Sequence, residues 1–392
     1  MRTLHLINSM NPAFGGLAAH LRSLVPELSA LGHPSEIASL DAPDAMFLPA
    51  IPARVHALGP VRPGFGYAPR LRPWLRETAD RFDAVVVHGL WQYHGLATRL
   101  AFAPGGPPRQ FIFPHGMLDP WFKRTYPLRH FRKWVYWWLA ERRILRDAAA
   151  VLFTCEEERR LARQTFPGSS YRERVVAYGV AAPPDEPARQ RAAFFALYPD
   201  LRDRPCWLFL GRIHPKKGVE LLIDAYAALR AGDDTLPRLV IAGPCADAGY
   251  LGRLQARAAK ACPPGAVHWP GMLAGDVKWG ALRAAEAFVL PSHQENFGIA
   301  VVEALACGTP VLISDQVNIW REIIADAAGL VEPDTAAGTL RLLGRWRALE
   351  PEAGRHVRTA ARRSFLKRYE IGAVARSLVA ALQAPRDGQP LS

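Results

Sequence analysis

Glu295 and Glu303 bracket a Phe297-Gly298 turn in Pro291-Ser-His-Gln-Glu-Asn-Phe-Gly-Ile-Ala-Val-Val-Glu303, and no other stretch of the chain says more about chemistry. A glycine there lets backbone approach a ligand, and the amides at a helix start attract an anion. Acids beside a phosphate are costly unless they take hydroxyl groups instead. If both glutamates were helical, their spacing would set them about 12 Å apart along the axis. Hydrolytic carboxylate pairs sit roughly 5 to 9.5 Å apart, so the spacing disfavours a glycosidase. It suits the two ends of one extended ligand carrying both sugar and phosphate. Glu303 lies among Val301, Val302, Ala304 and Leu305, and an enclosed acid wants a donor such as a ribose hydroxyl.

The positive charge for such a ligand stands in Gly211-Arg-Ile-His-Pro-Lys-Lys-Gly218. Arg212 and Lys217, fixed near a helix start, would clamp a diphosphate and neutralise a leaving group. Gly15 and Gly16, in Pro12-Ala-Phe-Gly-Gly-Leu17, offer a second phosphate approach, although a glycine pair is also an ordinary turn. That stretch does not match the dinucleotide fingerprint G-x-G-x-x-G. His115, in Phe113-Pro-His-Gly-Met-Leu-Asp119, is expected to face a cleft from the side opposite Glu295. There it would bond a sugar hydroxyl or sit near the reacting carbon. His88 occupies a similar strand end with a weaker claim. A lone histidine is more often structural and a basic loop more often merely solvated; position at strand ends favours function.

The elements that must hold these residues alternate strand and helix almost throughout. Strand patterns at Leu4 to Asn8, Ala84 to His88, Phe111 to Pro114 and Ala149 to Thr154 are each followed by helical spacing. A second series runs through Cys206 to Leu210, Leu239 to Ala242, Ala287 to Leu290 and Val311 to Ser314. This alternation predicts parallel sheets wound by right-handed crossovers, with ligands at the carboxyl ends of the strands. The organisation expected is a first domain over 1–180, a Pro-rich linker over 181–204 and a second domain over 205–361. A C-terminal helix over 362–383, with Phe365, Tyr369, Val374, Leu378 and Leu382 on one face, and a tail over 384–392 complete it.

At 392 residues the chain suits two domains, and 49% apolar with 22% charged residues describes a folded protein. No apolar run approaches the ~18 residues that span a bilayer, and the N-terminus enters a strand pattern without signal-peptide architecture. Five scattered cysteines lack metal-ligand spacing, so a reducing cytoplasm is expected and no metal cofactor. The net charge of +13 admits an anionic membrane surface or simply solvated arginine faces, while nucleic acid lacks any motif. Trp121 to Arg146, basic and aromatic, could meet a membrane or a lipid-linked acceptor. The spacing of Phe131, Val135, Trp138 and Leu145 equally fits a helix on its own sheet, and core packing is the favoured reading.

Taken together, the Gly-Gly pair, His115-Gly116, Gly211-Arg to Lys-Gly218, Leu239-Val-Ile-Ala-Gly-Pro244 and the Glu295-to-Glu303 signature resemble the large retaining glycosyltransferase family numbered four. Val317-Asn-Ile-Trp-Arg-Glu322 looks like a subgroup feature of bacterial exopolysaccharide and cell-surface glycan clusters. The resemblance implies an α/β GT-B fold: two Rossmann-like doubly wound domains facing an interdomain cleft, the C-terminal helix crossing back onto the first domain. It implies sugar transfer from a nucleoside-diphosphate sugar to a hydroxyl acceptor, a glycan or a lipid-linked molecule, without a metal. By resemblance, Arg212 and Lys217 hold the diphosphate and Glu295 the donor-sugar hydroxyls. Asn296, Phe297, Gly298 and Ile299 line sugar and phosphate, Glu303 takes the ribose, and His115 the reacting centre. Gly16, next to Gly15, gives the diphosphate an amide. Two departures stand out. Tyr178-Gly-Val-Ala181 replaces the usual Asn-Gly-Val-Asp, and Asn296 replaces a small residue. A GT-B epimerase or phosphorylase is the alternative, although epimerases of that fold lack the spaced glutamate pair.

Overall fold

A computed structural model describes residues 1–12, 16–62, 64–125, 127–168, 170–233 and 235–385. The chain divides into two compact units, one made of Met1–Ala181 with Ile371–Ser392 and the other of Ala182–Glu370.

The first unit is built on strands β1 (Thr3–Ile7), β2 (Ser35–Ser39), β3 (Val55–Ala57), β4 (Ala84–His88), β5 (Arg109–Phe113), β6 (Ala150–Phe153) and β7 (Glu173–Val175). All pair in parallel, in the order β3-β2-β1-β4-β5-β6-β7. The central strands β1, β4 and β6 are buried at every residue, because helices cover both faces of a parallel sheet and leave no polar side. One face packs Leu4, Leu6, Val85, Val87 and Ile112 against Trp137 and Leu145. The other packs Ile7, Val86, Phe111 and Phe113 against the helix Gly16–Ala30 and the last helix, Ile371–Gln383.

The second unit repeats the plan with β8 (Cys206–Leu210), β9 (Arg238–Ala242), β10 (Val267–Gly271), β11 (Ala287–Leu290), β12 (Val311–Ser314) and β13 (Gly329–Glu332). Their order is β10-β9-β8-β11-β12-β13, again all parallel. In each sheet the winding reverses beside the first strand, between β1 and β4 and between β8 and β11. Such a reversal opens a crevice at the carboxyl ends of those two strands.

Three expectations change. The stretch 181–204 is more than a Pro-rich linker: it holds the helix Pro187–Leu197, which lies on Gly275–Ala284 within the second unit. Its apolar residues are spread around the helix, so no periodic face announces it. A Cβ on Gly280 would come within 2.0 Å of the Gln190 carbonyl oxygen, so only glycine admits this contact. Arg283 Nε then donates to Gln190 Oε1 at 2.7 Å.

The single helix over 362–383 is two helices, Pro351–Arg368 and Ile371–Gln383, and only the second belongs to the first unit. The first of them closes where the amides of Tyr369 and Glu370 both donate to the Phe365 carbonyl, each at 2.9 Å. Asp326 holds its end through Arg368 and Ser364.

The basic aromatic helix is broken too. Pro127–Tyr136 passes into a π-helical turn at Trp137–Glu141 before Arg142–Asp147. A π turn inserts a residue and rotates the register. Trp137 and Leu145 therefore enter the core, while Phe131 (65%), Trp134 (41%), Val135 (42%), Trp138 (39%) and Leu139 (67%) stay exposed. Core packing of the expected stripe is overturned at Phe131, Val135 and Trp138 and holds at Leu145.

The Gly280 contact gives a direct check. Gly280→Ala should destabilise the second unit by about 1–3 kcal/mol through overpacking, lowering its melting temperature by several degrees in calorimetry. An unchanged transition would show that the two helices separate freely.

Candidate active site

In the second unit the two loops at the switch point are joined backbone to backbone. After β8 the chain passes Gly211 and Arg212 into a short 3-10 turn, Pro215–Lys217, capped by His214 Nδ1 accepting from the Lys216 amide at 3.1 Å. At Gly218 the backbone turns left-handed (φ 64°), and a Cβ there would lie 2.1 Å from the Pro291 carbonyl oxygen. The loop after β11 bonds the same turn: the Lys216 carbonyl accepts from Ser292 Oγ at 2.9 Å and from the His293 amide at 2.8 Å. The cationic loop and the acidic loop are therefore one rigid piece.

Glu295 is held in a loop and not on the helix. Its amide donates to the Gln316 carbonyl at 2.9 Å, and its carbonyl accepts from the Asn318 amide at 2.9 Å. Asn318 Nδ2 also donates to Asn296 Oδ1 at 3.3 Å. The helix Ile299–Ala306 starts from left-handed Gly298 (φ 79°) and carries Glu303. Phe297 is buried, its ring edge-on to Tyr369 with centroids 5.7 Å apart. Ile299 is half-buried at the helix start, where the first amides lack intrahelical partners.

Each acid has its own lysine. Lys217 Nζ contacts Glu295 Oε2, and Lys278 Nζ donates to Glu303 Oε1 at 2.7 Å. Half-buried carboxylates require such compensation. Lys278, which also lies 4.1 Å from the Trp279 ring centroid, was not foreseen, since one lysine inside an amphipathic helix carries no signal. Burial, and then the like charges of Lys216 and Arg212, pull the Lys217 ammonium down to about 8. Arg212 itself is exposed. The like charges of Lys216 and Arg212 beside Lys217 suit a multiply charged anion.

The first unit presents a separate constellation. His115 sits just past β5 with a left-handed backbone (φ 50°). The buried Glu158 clamps this turn, accepting from the Gly116 amide at 2.5 Å, the Thr154 amide at 2.7 Å and Thr154 Oγ1 at 2.6 Å. Glu158 stands in the acidic first turn of Glu156–Ala162, a helix-start signal that could have drawn attention. The His115 ring lies 3.0 Å from His88, nitrogen to nitrogen. Burial, reinforced by His20, pushes His115 down to about 3, so the ring is neutral at physiological pH. Tyr178, the departure in the sequence, stacks on His20 at 3.8 Å and lies edge-on to His115 at 5.7 Å. Gly16 is the first residue of Gly16–Ala30; Gly15 lies outside the described residues. The chain before it is tied down by Asp41, which accepts from Ser9 Oγ at 2.5 Å and the Met10 amide at 2.8 Å. Among the described residues no group of three or more His, Cys, Asp or Glu is arranged to hold a metal.

Lys217 is charged below its lowered pKa and neutral above it, so affinity for a nucleoside diphosphate should fall as pH rises through about 8. Lys217→Arg, which stays charged, should flatten that limb. Calorimetric titrations between pH 7 and 9.5 read both; identical profiles would remove Lys217 from the anion site.

Two family models match, "Glycosyl transferase 4-like domain" over residues 15–179 and "Glycosyl transferases group 1" over residues 198–362. Among curated relatives, D-inositol 3-phosphate glycosyltransferase of Jonesia denitrificans is 31% identical over 216 residues, covering 52% of this chain and 50% of that protein. The enzyme of that name from Frankia alni is 33% identical over 245 residues, with 54% of each chain covered. The chain thus spans about half the length of the curated relatives it matches. Among solved structures, sucrose-phosphate synthase from Thermosynechococcus elongatus superposes with a TM-score of 0.70 at 21% identity, covering 97% of this chain and 99% of that one. Anabaena HepE, in complex with UDP and glucose, gives 0.71 at 16% identity with the same coverage. With both domain families matched in order along a doubly wound two-unit fold, the chain belongs to the GT-B glycosyltransferases.

Proposed function

We propose that the chain moves a sugar from a nucleoside-diphosphate sugar to a hydroxyl acceptor with retained anomeric configuration, the acceptor being a growing or lipid-linked glycan in surface polysaccharide synthesis. The observation that carries this reading is the rigid pairing of the cationic turn at Pro215–Lys217 with the acidic loop at Glu295, at the switch point of the second sheet. That a structural neighbour was solved with UDP and glucose supports a nucleotide-sugar donor.

Donor binding exchanges ion pairs. Lys217 leaves Glu295 for the diphosphate beside Arg212, and Glu295 turns to the sugar hydroxyls. Glu303 takes the ribose hydroxyls in place of Lys278. The bond from the anomeric carbon to the leaving phosphate oxygen breaks as the acceptor oxygen attacks the same face. The acceptor's proton passes to that phosphate oxygen. Arg212 and Lys217 stabilise the departing charge, so this reading needs no metal. His115 contacts the donor sugar near the reacting carbon, and Gly16 gives the diphosphate an amide. The Asn296–Asn318 contact, adjacent to Glu295, bears on sugar choice.

The exposed stripe of Phe131, Trp134, Val135, Trp138 and Leu139 supports a second statement. It is flanked by Arg132, Arg142 and Arg143, and such a basic amphipathic face suits the anionic inner surface of the cytoplasmic membrane, where lipid-linked acceptors reside. No helix among the described residues is long and apolar enough to cross a bilayer.

A panel of UDP-, GDP- and ADP-sugars read by nucleotide release tests the reaction. One donor class should turn over without loss in EDTA, and Arg212→Ala or Glu295→Gln should each cost about 10²–10³ in kcat. Wild-type turnover by either variant, or cleavage that demands inorganic phosphate, would refute the assignment and favour a phosphorylase. Vesicle flotation tests the membrane face. Binding should require anionic lipid, weaken with salt and drop in a Phe131→Ser, Trp138→Ser double variant; equal recovery with neutral vesicles would refute it.

A further inference from the structure

Behind His115 lies a row of buried histidines that the proposed reaction leaves unused. His5 Nδ1 lies 3.0 Å from His88 Nε2, and His88 Nδ1 lies 3.0 Å from His115 Nε2. The row crosses the centre of the sheet, with His5 inside β1, His88 ending β4 and His115 just past β5. His5 is fully buried and His88 nearly so.

A nitrogen-to-nitrogen contact is a hydrogen bond only when one partner carries the proton and the other a lone pair. Burial pushes His5 and His115 down to about 3 and His88 well below the ordinary range, so each ring carries one proton. Two self-consistent patterns follow. Either every ring is protonated on Nδ1, or every ring is protonated on Nε2. The two differ at the far end, where His5 Nε2 is buried without a partner. In the first pattern that atom is a bare lone pair; in the second it is an orphaned N–H. Buried N–H groups without acceptors are the rarer and costlier defect.

His94 shows which defect this unit tolerates. Its Nε2 faces the His88 carbonyl at 3.0 Å and must donate, so its buried, unpartnered Nδ1 is a bare lone pair. The other groups around the row do not disturb the choice. His20 donates from Nδ1 to the Gly179 carbonyl at 2.9 Å, Tyr178 meets His115 edge-on, Phe113 stacks on both His88 and His115, and Glu158 is engaged by Gly116 and Thr154. His115 Nδ1 has no hydrogen-bond partner among the described residues.

We propose that His5 and His88 are positioning residues that lock His115 in the Nδ1–H tautomer, so that it offers its ligand a neutral N–H donor and not a base. The inference rests on the assignment of His115 to the donor sugar made above, and it narrows that role. His115 donates to a sugar oxygen and takes no proton from the acceptor, which leaves the phosphate as the proton's destination.

Two-bond proton–nitrogen correlation spectra of the full chain labelled with nitrogen-15 histidine, at pH 7, test the lock without requiring turnover. Protonated Nδ1 and bare Nε2 on His5, His88 and His115 are expected; a protonated Nε2 on His115 would overturn the proposal. In transfer assays, an asparagine at position 88 places its amide near the former Nδ1 and can still donate to His115. His88→Asn should therefore keep kcat within about three-fold, whereas His88→Phe should lose roughly ten-fold with donor KM little changed, a factor in keeping with one hydrogen bond. Equal losses in both variants would reduce His88 to packing and overturn the lock. Absence of transfer in the wild-type protein would count against the proposed reaction while the spectra still decide the tautomer.

Discussion

One carbonyl oxygen organises the loops at the switch point of the second unit. The Lys216 carbonyl accepts from Ser292 Oγ and from the His293 amide, and so ties the cationic turn after β8 to the acidic loop after β11. Gly218 lets the two backbones come close enough for this to happen. Without that contact Lys217 and Glu295 would be long, solvated side chains on two independent loops. With it they face each other at fixed separation, each compensating the other's loss of water.

The same principle, that buried polarity must be matched, shapes the first unit by different means. There the polar atoms are imidazole nitrogens deep in a parallel sheet, where no charge is sustainable. Most are satisfied by one another and by carbonyls, with His5 Nε2 and His94 Nδ1 left bare, and the row ends at His115 on the strand-end loop. Glu158 secures that loop from the other side by taking the donors of Gly116 and Thr154. One unit thus matches charge with charge at its strand-end loops, and the other matches neutral rings with one another inside its sheet.

The alternation of strand and helix, its parallel winding and the Glu295, Arg212, Lys217 and His115 positions at strand ends were legible in the sequence, whereas the order of the strands in each sheet was not. Buried parallel strands are short unbroken apolar runs, and those at Ala84–His88 and Cys206–Leu210 stand out plainly. The edge strand β10 does not, because its residues are only half-buried and include a proline. The helix Pro187–Leu197 escaped notice for want of an apolar face, and the break between Arg368 and Ile371 because helical spacing continues across it.

By itself the sequence determined which residue types could bind sugar and phosphate, and that they stand where winding sheets place ligands. That information is local: a glycine, a charge and a strand end within a few residues. Only the tertiary structure decided that each glutamate is paired with a lysine, Glu295 with Lys217 and Glu303 with Lys278, from 25 to 78 residues away. It alone aligned His5 and His88 behind His115, and turned the aromatic stripe around Phe131 outward. Charge compensation, tautomer and exposure depend on neighbours distant in the chain, and packing alone brings those neighbours together.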